Sequence, residues 1–409
     1  MSAPRLSVIV VSVGRPDALR RCLLGLWQQS RAGVEVIVVA DAAGSNAVRT
    51  LPFADRIKMV PQAEPNISRA RNLGIAQSTG DLLAFIDDDA VPVPSWTHAI
   101  GNAFAEEECA AITGPVLGRN GISLQWGPLA VNGLAEDIPT DPKAPVRDGF
   151  ARKLQGTNMA MRRSVLERLG GFDEAFRFYL DDTDLAYRIG QAGMKTAWVG
   201  KAIVHHGYEA SSRRTPDRIP LSLFDIGASS AVYLQKYAAN GDVTAALRKV
   251  EASQSSRLLR LAKARKLDAG KMRELLETLK EGIAHGMERA SAQPLVRPPT
   301  VEFLRLRDEN PPQPKVISGR SFQLSSLRAQ AAEEVAKGQP VRLFCFGPTP
   351  RKHKVRFTDG GWWEQTGGLF GPSERDEPRF QLHSFKARVA AEVRRISATD
   401  LHTASGERN

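Results

Sequence analysis

Five apolar residues, Leu82 to Ile86, are followed at once by three consecutive carboxylates, Asp87, Asp88 and Asp89. An unbroken apolar run of this length predicts a strand that is buried on both faces of a sheet. In open α/β sheets, ligands bind in the crevice outside the carboxyl ends of the strands, so we expect the acids at such a crevice. Neighbouring carboxylates repel one another, and a divalent cation such as Mg²⁺ or Mn²⁺ removes that repulsion. The alternative is that Asp89 caps a short helix.

Strand-like and helix-like segments alternate before this run. The β-branched runs Leu6 to Val13 and Val34 to Ala40 are typical of buried strands, and Asp41 follows the second run directly. Apolar residues at helical spacing predict helices over 18–29 and 68–78, whereas the small residues 42–45 predict a loop. This alternation predicts an α/β fold with a doubly wound, mostly parallel sheet and helices on both faces.

The net charge of +11 is unevenly distributed along the 409 residues. Residues 1–209 contain 22 Lys and Arg against 23 Asp and Glu, whereas residues 210–409 contain 34 against 22. The basic character therefore belongs to the second half of the chain. It suits an anionic lipid surface, a polyanionic substrate or nucleic acid, or it serves solubility alone.

Cysteine usage and hydropathy bear on the compartment. Cys22, Cys109 and Cys345 are few, odd in number and far apart, which favours a reducing cytosol over a disulfide-rich secreted class. The first apolar run ends abruptly at Gly14, unlike a signal peptide, and no apolar run approaches the ~20 residues of a spanning helix. We expect a cytoplasmic protein, either free or peripheral on the inner face of the cell membrane.

Three motifs follow one another in the first half: Asp41 after the second strand, Ala-Arg-Asn-Leu-Gly at 70–74, and the three acids at 87–89. In this order they resemble family 2 glycosyltransferases of the GT-A fold, over residues 5–208. The resemblance implies that Asp41 binds the nucleotide base and that Arg71 lies under the nucleotide. It also implies that Asp87 and Asp89 hold the ribose and a metal ion on the diphosphate, with Asp88 beside them on the donor.

A second block, residues 156–206, is similar to the acceptor half of the same family. The resemblance implies that Asp182 is the catalytic base and that His205 is a further metal ligand; the acceptor side would include Asn158, Asp181 and Asp184. From the residues alone, purely structural roles stay open for these side chains. Acids at a helix N-terminus are stabilised by ~0.3–1 kcal/mol without any catalytic role, and His205 is equally well accounted for as a packed histidine.

The resemblance ends after Tyr208. We predict a GT-A domain over 1–209, a helical extension over 210–293, a proline-rich linker over 294–314 and a small α+β domain of unknown role over 315–409. Basic residues recur every three positions in one predicted helix, which either presents a solvated charged face or contacts an anionic membrane; they are Arg257, Arg260 and Lys263. Two adjacent tryptophans near the C-terminus either bind a glycan or form a small core; they are Trp362 and Trp363.

Together these features predict an inverting, metal-dependent glycosyltransferase that moves a hexosyl or deoxyhexosyl group from a nucleotide-diphosphate sugar to a glycan or lipid-linked acceptor. The resemblance implies a role in cell-surface polysaccharide or glycoconjugate synthesis, and nucleic acid is not expected as a partner. Two other functions stay open. A sugar-phosphate nucleotidyltransferase should have a glycine-rich loop after the first strand, where this chain has only Gly14. A non-catalytic nucleotide or glycan binder would need no base.

Overall fold

The apolar run that precedes the three acids is the middle strand of a seven-stranded sheet. The computed structural model describes residues 4–62, 64–209, 213–215, 217–238 and 243–400. The elements of the first half follow in chain order: β1 (Leu6–Ser12), α1 (Pro16–Trp27), β2 (Val34–Ala40), α2 (Ala42–Arg49), β3 (Lys58–Pro61), α3 (Ile67–Gln77), β4 (Leu82–Asp87), β5 (Ala90–Pro92), α4 (Trp96–Ala103), β6 (Cys109–Thr113), β7 (Val116–Leu117), β8 (Leu124–Trp126), β9 (Leu129–Asn132), β10 (Asp137–Pro139), β11 (Phe150–Arg152), β12 (Met159–Arg162), α5 (Arg163–Leu169), α6 (Asp181–Gln191), β13 (Lys195–Trp198) and β14 (Val204–His206).

The large sheet has the strand order β13-β6-β12-β4-β1-β2-β3. Strand β1 pairs in parallel with β2 and β4, and β2 pairs in parallel with β3. Strand β12 runs antiparallel to both of its neighbours, β4 and β6, while β13 is parallel to β6. The prediction of an α/β fold with a mostly parallel sheet is therefore confirmed.

Both faces of this sheet are covered by helices. Val8 and Val10 of β1 lie in the apolar layer that includes α1 and α4, whereas Ile9 between them lies in the opposite layer with α3 and α6. All three side chains are at most 1% exposed. Full burial of such an aliphatic side chain is worth about 1.5–3 kcal/mol, so the unbroken β-branched runs stabilise both layers at once.

One predicted loop is a helix. Residues 42–45, predicted as a loop, form the first turn of α2, and the Oδ1 of Asp41 caps it by accepting the Gly44 N–H at 2.8 Å. Four small residues carry no apolar periodicity, so the helix leaves no pattern in the sequence. An Asp followed by small residues is typical of turns as well as of helix N-caps, and here the cap prevails.

A second, four-stranded sheet lies beside the three acids. Its order is β5-β14-β7-β8, so β14 returns to pair with the strand that follows Asp89 directly. In this pairing His206 stands opposite Ala90, and His205 stands opposite Val91. Because successive side chains of a strand point to opposite faces, only one of the two histidines can face the acids. The stretch that leads to the two histidines is thus two strands, β13 and β14, in different sheets.

A buried carboxylate connects the first three strands. Glu35 on β2 is 0% exposed, and it accepts hydrogen bonds from the Ser7 hydroxyl at 2.5 Å and from the Thr79 amide at 2.8 Å. Its Oε1 lies 2.6 Å from the Lys58 ammonium on β3 and accepts the Leu304 N–H at 3.1 Å. All four of these neighbours are donors, which is the condition under which a charge is tolerated in an interior.

Replacing this carboxylate should destabilise the fold strongly. We expect Glu35→Ala to lower the free energy of unfolding by about 3–5 kcal/mol, since Lys58 loses its buried counter-charge. Urea denaturation followed by tryptophan fluorescence measures the change. The control is Glu64→Ala, which removes an exposed ion pair with Arg69 (2.9 Å) and should cost at most ~1 kcal/mol. Equal losses in both variants would contradict the assigned role of Glu35.

The second half of the chain contains three helices followed by a small α/β unit. Its elements are α7 (Phe224–Tyr237), α8 (Val243–Lys263), α9 (Ala269–Met287), β15 (Lys315–Arg320), α10 (Leu324–Ala336), β16 (Val341–Gly347), β17 (Lys354–Phe357), β18 (Trp363–Gly368) and α11 (Phe385–Asp400). Helices α7, α8 and α9 lie within residues 210–293, the range predicted as a helical extension. Helices α7 and α9 approach closely, because a Cβ at Gly282 would lie 2.1 Å from the Phe224 carbonyl oxygen. Within the described ranges, no helix is both long enough and apolar enough to span a bilayer.

Residues 315–400, which we call the C-terminal unit, form a sheet of order β15-β16-β18-β17. Strands β17 and β18 pair as an antiparallel hairpin whose turn contains Asp359 and Gly360. Trp362 and Trp363 are 8% and 4% exposed, so they belong to the core and do not offer a glycan surface. Residues 401–409 of the predicted last domain, like residues 210–212 at the predicted start of the helical extension, lie outside the described residues.

The C-terminal unit packs against the first half. Trp363 and Phe357 join the apolar layer that covers α1. Gln28 donates to the Gly361 carbonyl at 2.6 Å, and Arg21 on α1 pairs with Asp359 at 2.7 Å. The stretch 294–314, predicted as a linker, also contacts the first half, since the Leu306 N–H donates to the Val34 carbonyl at 2.8 Å.

Candidate active site

The three consecutive acids have different surroundings. Asp88 is 0% exposed and faces β1, where the Ser12 hydroxyl donates to it at 2.7 Å and the Arg15 guanidinium lies 2.5 Å away. Burial raises the pKa of Asp88 to about 7, although Arg15 opposes that rise. Asp88 thus connects the end of β4 to the β1–α1 turn and does not face the crevice. The prediction that Asp88 contacts the donor is therefore corrected: its partners are Ser12 and Arg15.

Asp89 is buried among donors. His206 Nε2 lies 3.2 Å from its Oδ1, while Arg15 Nη1 at 3.1 Å and the Glu209 N–H at 3.0 Å meet its Oδ2. Burial alone would raise the pKa of Asp89, but the hydrogen bond and charge of His206, with Arg15 and the Glu209 amide, lower it well below its usual value. Asp89 is therefore held as a carboxylate.

Asp87 is the acid that faces the crevice. It lies at the carboxyl end of β4 and is partly exposed. It accepts a short hydrogen bond from the Thr157 hydroxyl, and the Arg71 guanidinium lies 3.6 Å away. Arg71 lies on α3, and Thr157 lies two residues before β12, which pairs with β4, so three segments of the chain meet at Asp87.

Asp87, Asp89 and His206 can hold a divalent cation. One ligand atom from each residue lies within 4.8 Å of the other two. Two carboxylate oxygens and one imidazole nitrogen form a donor set suited to Mn²⁺ or a similar ion. The other ring nitrogen of His206, Nδ1, lies 2.9 Å from Gln125 Oε1, which fixes the ring and leaves Nε2 directed at the acids. The donor set therefore fits the metal that the sequence predicted.

The predicted histidine ligand, His205, is corrected to His206. His205 points away from the acids, and its ring packs edge to face on Trp363 of the C-terminal unit, with ring centroids 4.7 Å apart. Burial lowers the pKa of His205 to about 3, so this ring is a neutral packing group. Two adjacent histidines look alike in a sequence, and only the register of β14 against β5 distinguishes them.

Arg71 connects the two sides of the crevice. It lies on α3, is 5% exposed, and pairs at short range with Asp181 while reaching Asp87 at 3.6 Å. It also donates to the Gly156 carbonyl at 3.2 Å, and its guanidinium lies 5.3 Å over the Phe172 ring. Charge and stacking together compensate the burial of this arginine. Its predicted contact with a nucleotide remains a prediction.

Asp182 lies across the crevice from Asp87. Its Oδ2 accepts the Gly156 N–H at 2.7 Å, and the next residue, Thr157, donates to Asp87. A Cβ at residue 156 would lie 2.7 Å from Arg71 Nη2, so a larger residue there would displace the Arg71 guanidinium. Asp182, the predicted base, and Asp87, a predicted metal ligand, thus accept hydrogen bonds from two successive residues, Gly156 and Thr157.

The backbone before the acid pair is unusual. Tyr179 and Leu180 both have positive φ angles, 75° and 64°, and α6 begins at the next residue. Two consecutive non-glycine residues in the left-handed region are sterically costly and persist only where the surroundings enforce them. The strained turn directs Asp181 and Asp182 into the crevice from the first turn of a helix. Burial raises the pKa of Asp181 to about 6, although Arg71 opposes that rise.

Two residues predicted on the acceptor side are directed elsewhere. Asn158 is 0% exposed; it accepts from Trp96 Nε1 at 2.9 Å, and its amide nitrogen donates to main-chain carbonyls. Asp184 is also 0% exposed and is surrounded by Arg188, Lys236 and Tyr237 at 2.6–2.8 Å. Asn158 fixes the interior behind β12, and Asp184 attaches α7 to α6. Their placement on the acceptor side is corrected for this reason.

Asp41 hydrogen-bonds to the segments that follow β1 and β2, through Gly14 and Gly44. Besides capping α2, it accepts the Gly14 N–H at 2.7 Å through Oδ2. The side chain is partly exposed, and its predicted contact with a nucleotide base stays a prediction.

Sequence reasoning missed Arg15, although it follows β1 and lies at the same carboxyl edge as the acids. It also missed Thr157, for which no pattern in the sequence gives a signal.

The chain is similar to proteins of known families. Residues 7–170 match the model of the family described as Glycosyl transferase family 2, and residues 134–219 match that of Glycosyl transferase family 21. The "O-antigen biosynthesis protein RfbC" of Myxococcus xanthus is 28% identical over 260 residues, which cover 58% of this chain and 20% of that protein. The "Succinoglycan biosynthesis protein ExoM" of Rhizobium meliloti is 29% identical over 210 residues, covering 48% and 64%.

The chain thus spans only a fifth of the length of the Myxococcus relative and less than two thirds of the Rhizobium one. Among solved structures, the mannosyltransferase PcManGT from Pyrobaculum calidifontis, in complex with GDP-Man and Mn²⁺, aligns with a TM-score of 0.42 and 17% identity. That alignment covers 70% of this chain and 88% of the other. The resemblance predicted from the motifs is confirmed by the family match.

Proposed function

We infer that this chain, in which residues 7–170 are a glycosyl transferase family 2 domain, transfers a sugar from a nucleotide-diphosphate sugar to an acceptor hydroxyl in a metal-dependent, inverting reaction. The observation that carries this proposal is the meeting of Asp182 and Asp87 on the successive residues Gly156 and Thr157. One crevice then offers a carboxylate base on one side and a cation site on the other. The family match favours sugar transfer over nucleotidyl transfer, one of the two alternatives that the sequence left open.

In this proposal the acceptor hydroxyl is directed at Asp182. The carboxylate accepts the hydroxyl proton as the oxygen bonds to the anomeric carbon, and the bond from that carbon to the diphosphate breaks on the opposite face. One displacement inverts the anomeric configuration, whereas retention needs a second carboxylate as nucleophile. When bound by Asp87, Asp89 and His206, a divalent cation would neutralise the charge of the leaving diphosphate. Arg71 keeps Asp181 and Asp87 in place.

The names of the relatives support a biological setting. The Myxococcus and Rhizobium proteins are named for O-antigen and succinoglycan biosynthesis. We propose that this chain also acts in the synthesis of a cell-surface polysaccharide or glycoconjugate, on the cytoplasmic side of the membrane. The acceptor is then a glycan or a lipid-linked glycan.

A ligand screen tests the proposal directly. UDP-, GDP- and dTDP-sugars are each added to the full chain with and without Mn²⁺, and the melting temperature is measured. A donor at ~100 times its dissociation constant adds about 2.7 kcal/mol of stability, so we expect one nucleotide class to stabilise the protein only with metal. Donor turnover should then stop with a chelator. Release of diphosphate from a sugar phosphate and a nucleoside triphosphate would favour the nucleotidyltransferase instead.

The pH dependence of transfer should reflect Asp181. Because burial raises the pKa of Asp181 to about 6, the residue becomes neutral as the pH falls through 6 and no longer balances Arg71. We expect kcat to decrease below pH 6. Asp181→Asn, which is neutral at every pH, should have the lower kcat throughout the range and should lose that decrease. Initial rates between pH 4.5 and 8 measure the profile, with the exposed Asp148→Asn as control. An Asp181→Asn profile that superimposes on the wild type would contradict the assignment.

A further inference from the structure

The segment 206–209 encloses Asp89 of the candidate cation site. His206 Nε2 lies 3.2 Å from Asp89 Oδ1, and the Glu209 N–H donates to Asp89 Oδ2 at 3.0 Å. The Gly207 N–H donates to the main-chain carbonyl of Asp89 at 2.7 Å. Both the main chain and the carboxylate of Asp89 are therefore fixed by this one segment, and the geometry of the cation site depends on where the segment lies.

Arg21 on α1 holds the segment 206–209 in place. Its Nη2 pairs at short range with the Glu209 carboxylate, and it would lie 3.5 Å from a Cβ at residue 207. The Arg21 side chain is only 17% exposed, so the guanidinium packs against the segment and does not extend into solvent. Arg21 thus fixes the residue whose N–H orients the Asp89 carboxylate.

The C-terminal unit in turn holds Arg21. Arg21 Nη1 lies 2.7 Å from the carboxylate of Asp359, in the turn between β17 and β18, and the neighbouring Arg20 donates to the Asp359 carbonyl at 3.0 Å. The planar guanidinium of arginine presents several N–H donors in a rigid fork, so one side chain can pair with two acids at once. A chain of contacts therefore runs from the C-terminal unit through Arg21 and Glu209 to Asp89.

A second connection leads from the C-terminal unit to the histidine of the cation site. The Val355 N–H on β17 donates to the Asn120 carbonyl at 2.9 Å, in the loop between β7 and β8. A Cβ at Gly121 would lie 2.0 Å from the Val355 carbonyl oxygen, so the two main chains approach closely. Strand β8 carries Gln125, whose Oε1 fixes the His206 ring at 2.9 Å. The C-terminal unit thus lies against both segments that orient the candidate ligands.

The charge of Arg21 does not itself favour a cation. A guanidinium close to a cation site repels the ion, and that repulsion weakens binding. Arg21 instead joins two carboxylates that come from different parts of the chain, Glu209 and Asp359. Its contribution to the site is therefore the position that it gives to Glu209.

We propose that Arg21 is a positioning residue of the cation site, that Asp359 of the C-terminal unit holds it in place, and that full cation affinity requires both. The inference rests on the proposed function, which supplies the cation site. It gives a role to part of the C-terminal unit, which lies outside residues 7–170, the range that matches the Glycosyl transferase family 2 model. The apolar contacts of Trp363 and Phe357 keep the unit docked when Arg21 or Asp359 is replaced.

The test titrates the full chain with Mn²⁺ and follows the electron paramagnetic resonance of the free ion. We expect Arg21→Gln to lower Mn²⁺ affinity by about 10-fold, the lower end of the range for a residue that supports a metal ligand. A change of charge alone would have the opposite sign, because removal of a positive charge strengthens cation binding. The Mn²⁺ concentration for half-maximal sugar transfer should rise by the same factor, whereas kcat at saturating Mn²⁺ should stay within about twofold of the wild type.

A double-mutant cycle tests the role of Asp359. Asp359→Asn should lower Mn²⁺ affinity by only about threefold, because the Asp359 side chain is 77% exposed and exposed ion pairs contribute little. If Asp359 acts through Arg21, the double variant Arg21→Gln, Asp359→Asn should bind Mn²⁺ as Arg21→Gln does, since the two effects are not additive.

The matched control is Arg56→Gln. Arg56 also joins the first half to the second, through Asp308 at 3.2 Å, but it precedes β3 and so lies at the amino ends of the parallel strands, away from the acids. This variant should bind Mn²⁺ like the wild type.

Unchanged or tighter Mn²⁺ binding by Arg21→Gln, an equal loss in Arg56→Gln, or losses that multiply in the double variant would overturn the proposal. If Arg21→Gln does not fold, Asp359→Asn decides, and wild-type affinity in that variant refutes the inference. Failure of the wild type itself to bind Mn²⁺ would instead refute the metal dependence of the proposed function.

Discussion

Asp182→Asn should reduce sugar transfer by roughly 10²–10⁴-fold, the usual contribution of a positioned general base. The amide keeps the shape of the side chain, and its oxygen can still accept the Gly156 N–H that Asp182 accepts at 2.7 Å. It cannot take up the proton of an incoming hydroxyl. Because the acids and the histidine of the cation site are untouched, the affinity for the nucleotide-sugar donor should change by less than about threefold. Steady-state kinetics and donor calorimetry measure the two quantities separately.

The control for this variant is Asp148→Asn, which makes the same chemical change at an exposed loop position. It should leave both turnover and donor affinity unchanged. Thermal unfolding of Asp182→Asn should resemble that of the wild type, which separates a lost base from a lost fold. Turnover within a few-fold of the wild type would remove Asp182 from the mechanism, and attention would pass to Asp181.

Adjacent histidines should give opposite phenotypes. His206→Ala removes a proposed metal ligand, so we expect Mn²⁺ affinity to fall by about 100-fold or more. Loss of a residue that only supports a ligand typically lowers metal affinity by about 10- to 100-fold, and loss of the ligand itself should cost at least as much. His205→Ala removes a buried ring packed on Trp363, so we expect the free energy of unfolding to fall by about 2–4 kcal/mol. Its Mn²⁺ affinity at a temperature where the protein is folded should match the wild type.

The two variants serve as controls for each other, because they make the same substitution at neighbouring positions of one strand. Mn²⁺ binding is measured by the water-proton relaxation or the electron paramagnetic resonance of the free ion, and stability is measured by urea denaturation. If His205→Ala weakened Mn²⁺ binding as much as His206→Ala, the register of β14 against β5 would be wrong. A further His206→Asn variant tests whether a neutral side chain that retains one ligand atom restores part of the affinity.

The parts of the fold that the sequence predicts are those encoded by neighbouring residues. Strand β4 and its terminal acids are recognisable because apolar residues and carboxylates follow one another without a gap. Helix α2 was missed because its first residues are small and leave no apolar stripe, so that only the cap of Asp41 signals it. Helix α2 follows β2, whose position is set by pairing with β1 and β3. A short stretch of sequence around α2 contains no information on these pairings.

The site was predicted less completely, because side-chain direction depends on pairings far along the chain. A motif indicates that His205 or His206 is present near the acids, but the choice between them depends on the pairing with β5. Asp184 shares its motif with Asp182, yet its position on α6 turns it towards Lys236 and Tyr237 on a helix some 50 residues away. Such partners carry no recognisable spacing relative to the motif.

The packing of the C-terminal unit on the first half of the chain limits how this protein can be shortened. A chain ending at residue 209 would retain all of residues 7–170, which match the Glycosyl transferase family 2 model, yet it would lose Trp363 and Phe357 from the layer over α1. The apolar surface left in contact with water favours self-association, and His205 would lose its packing partner. The smallest stable fragment of this protein is therefore longer than the region that known families match. Such a fragment would have to keep residues 315–400 or replace the apolar contacts that Trp363 and Phe357 make.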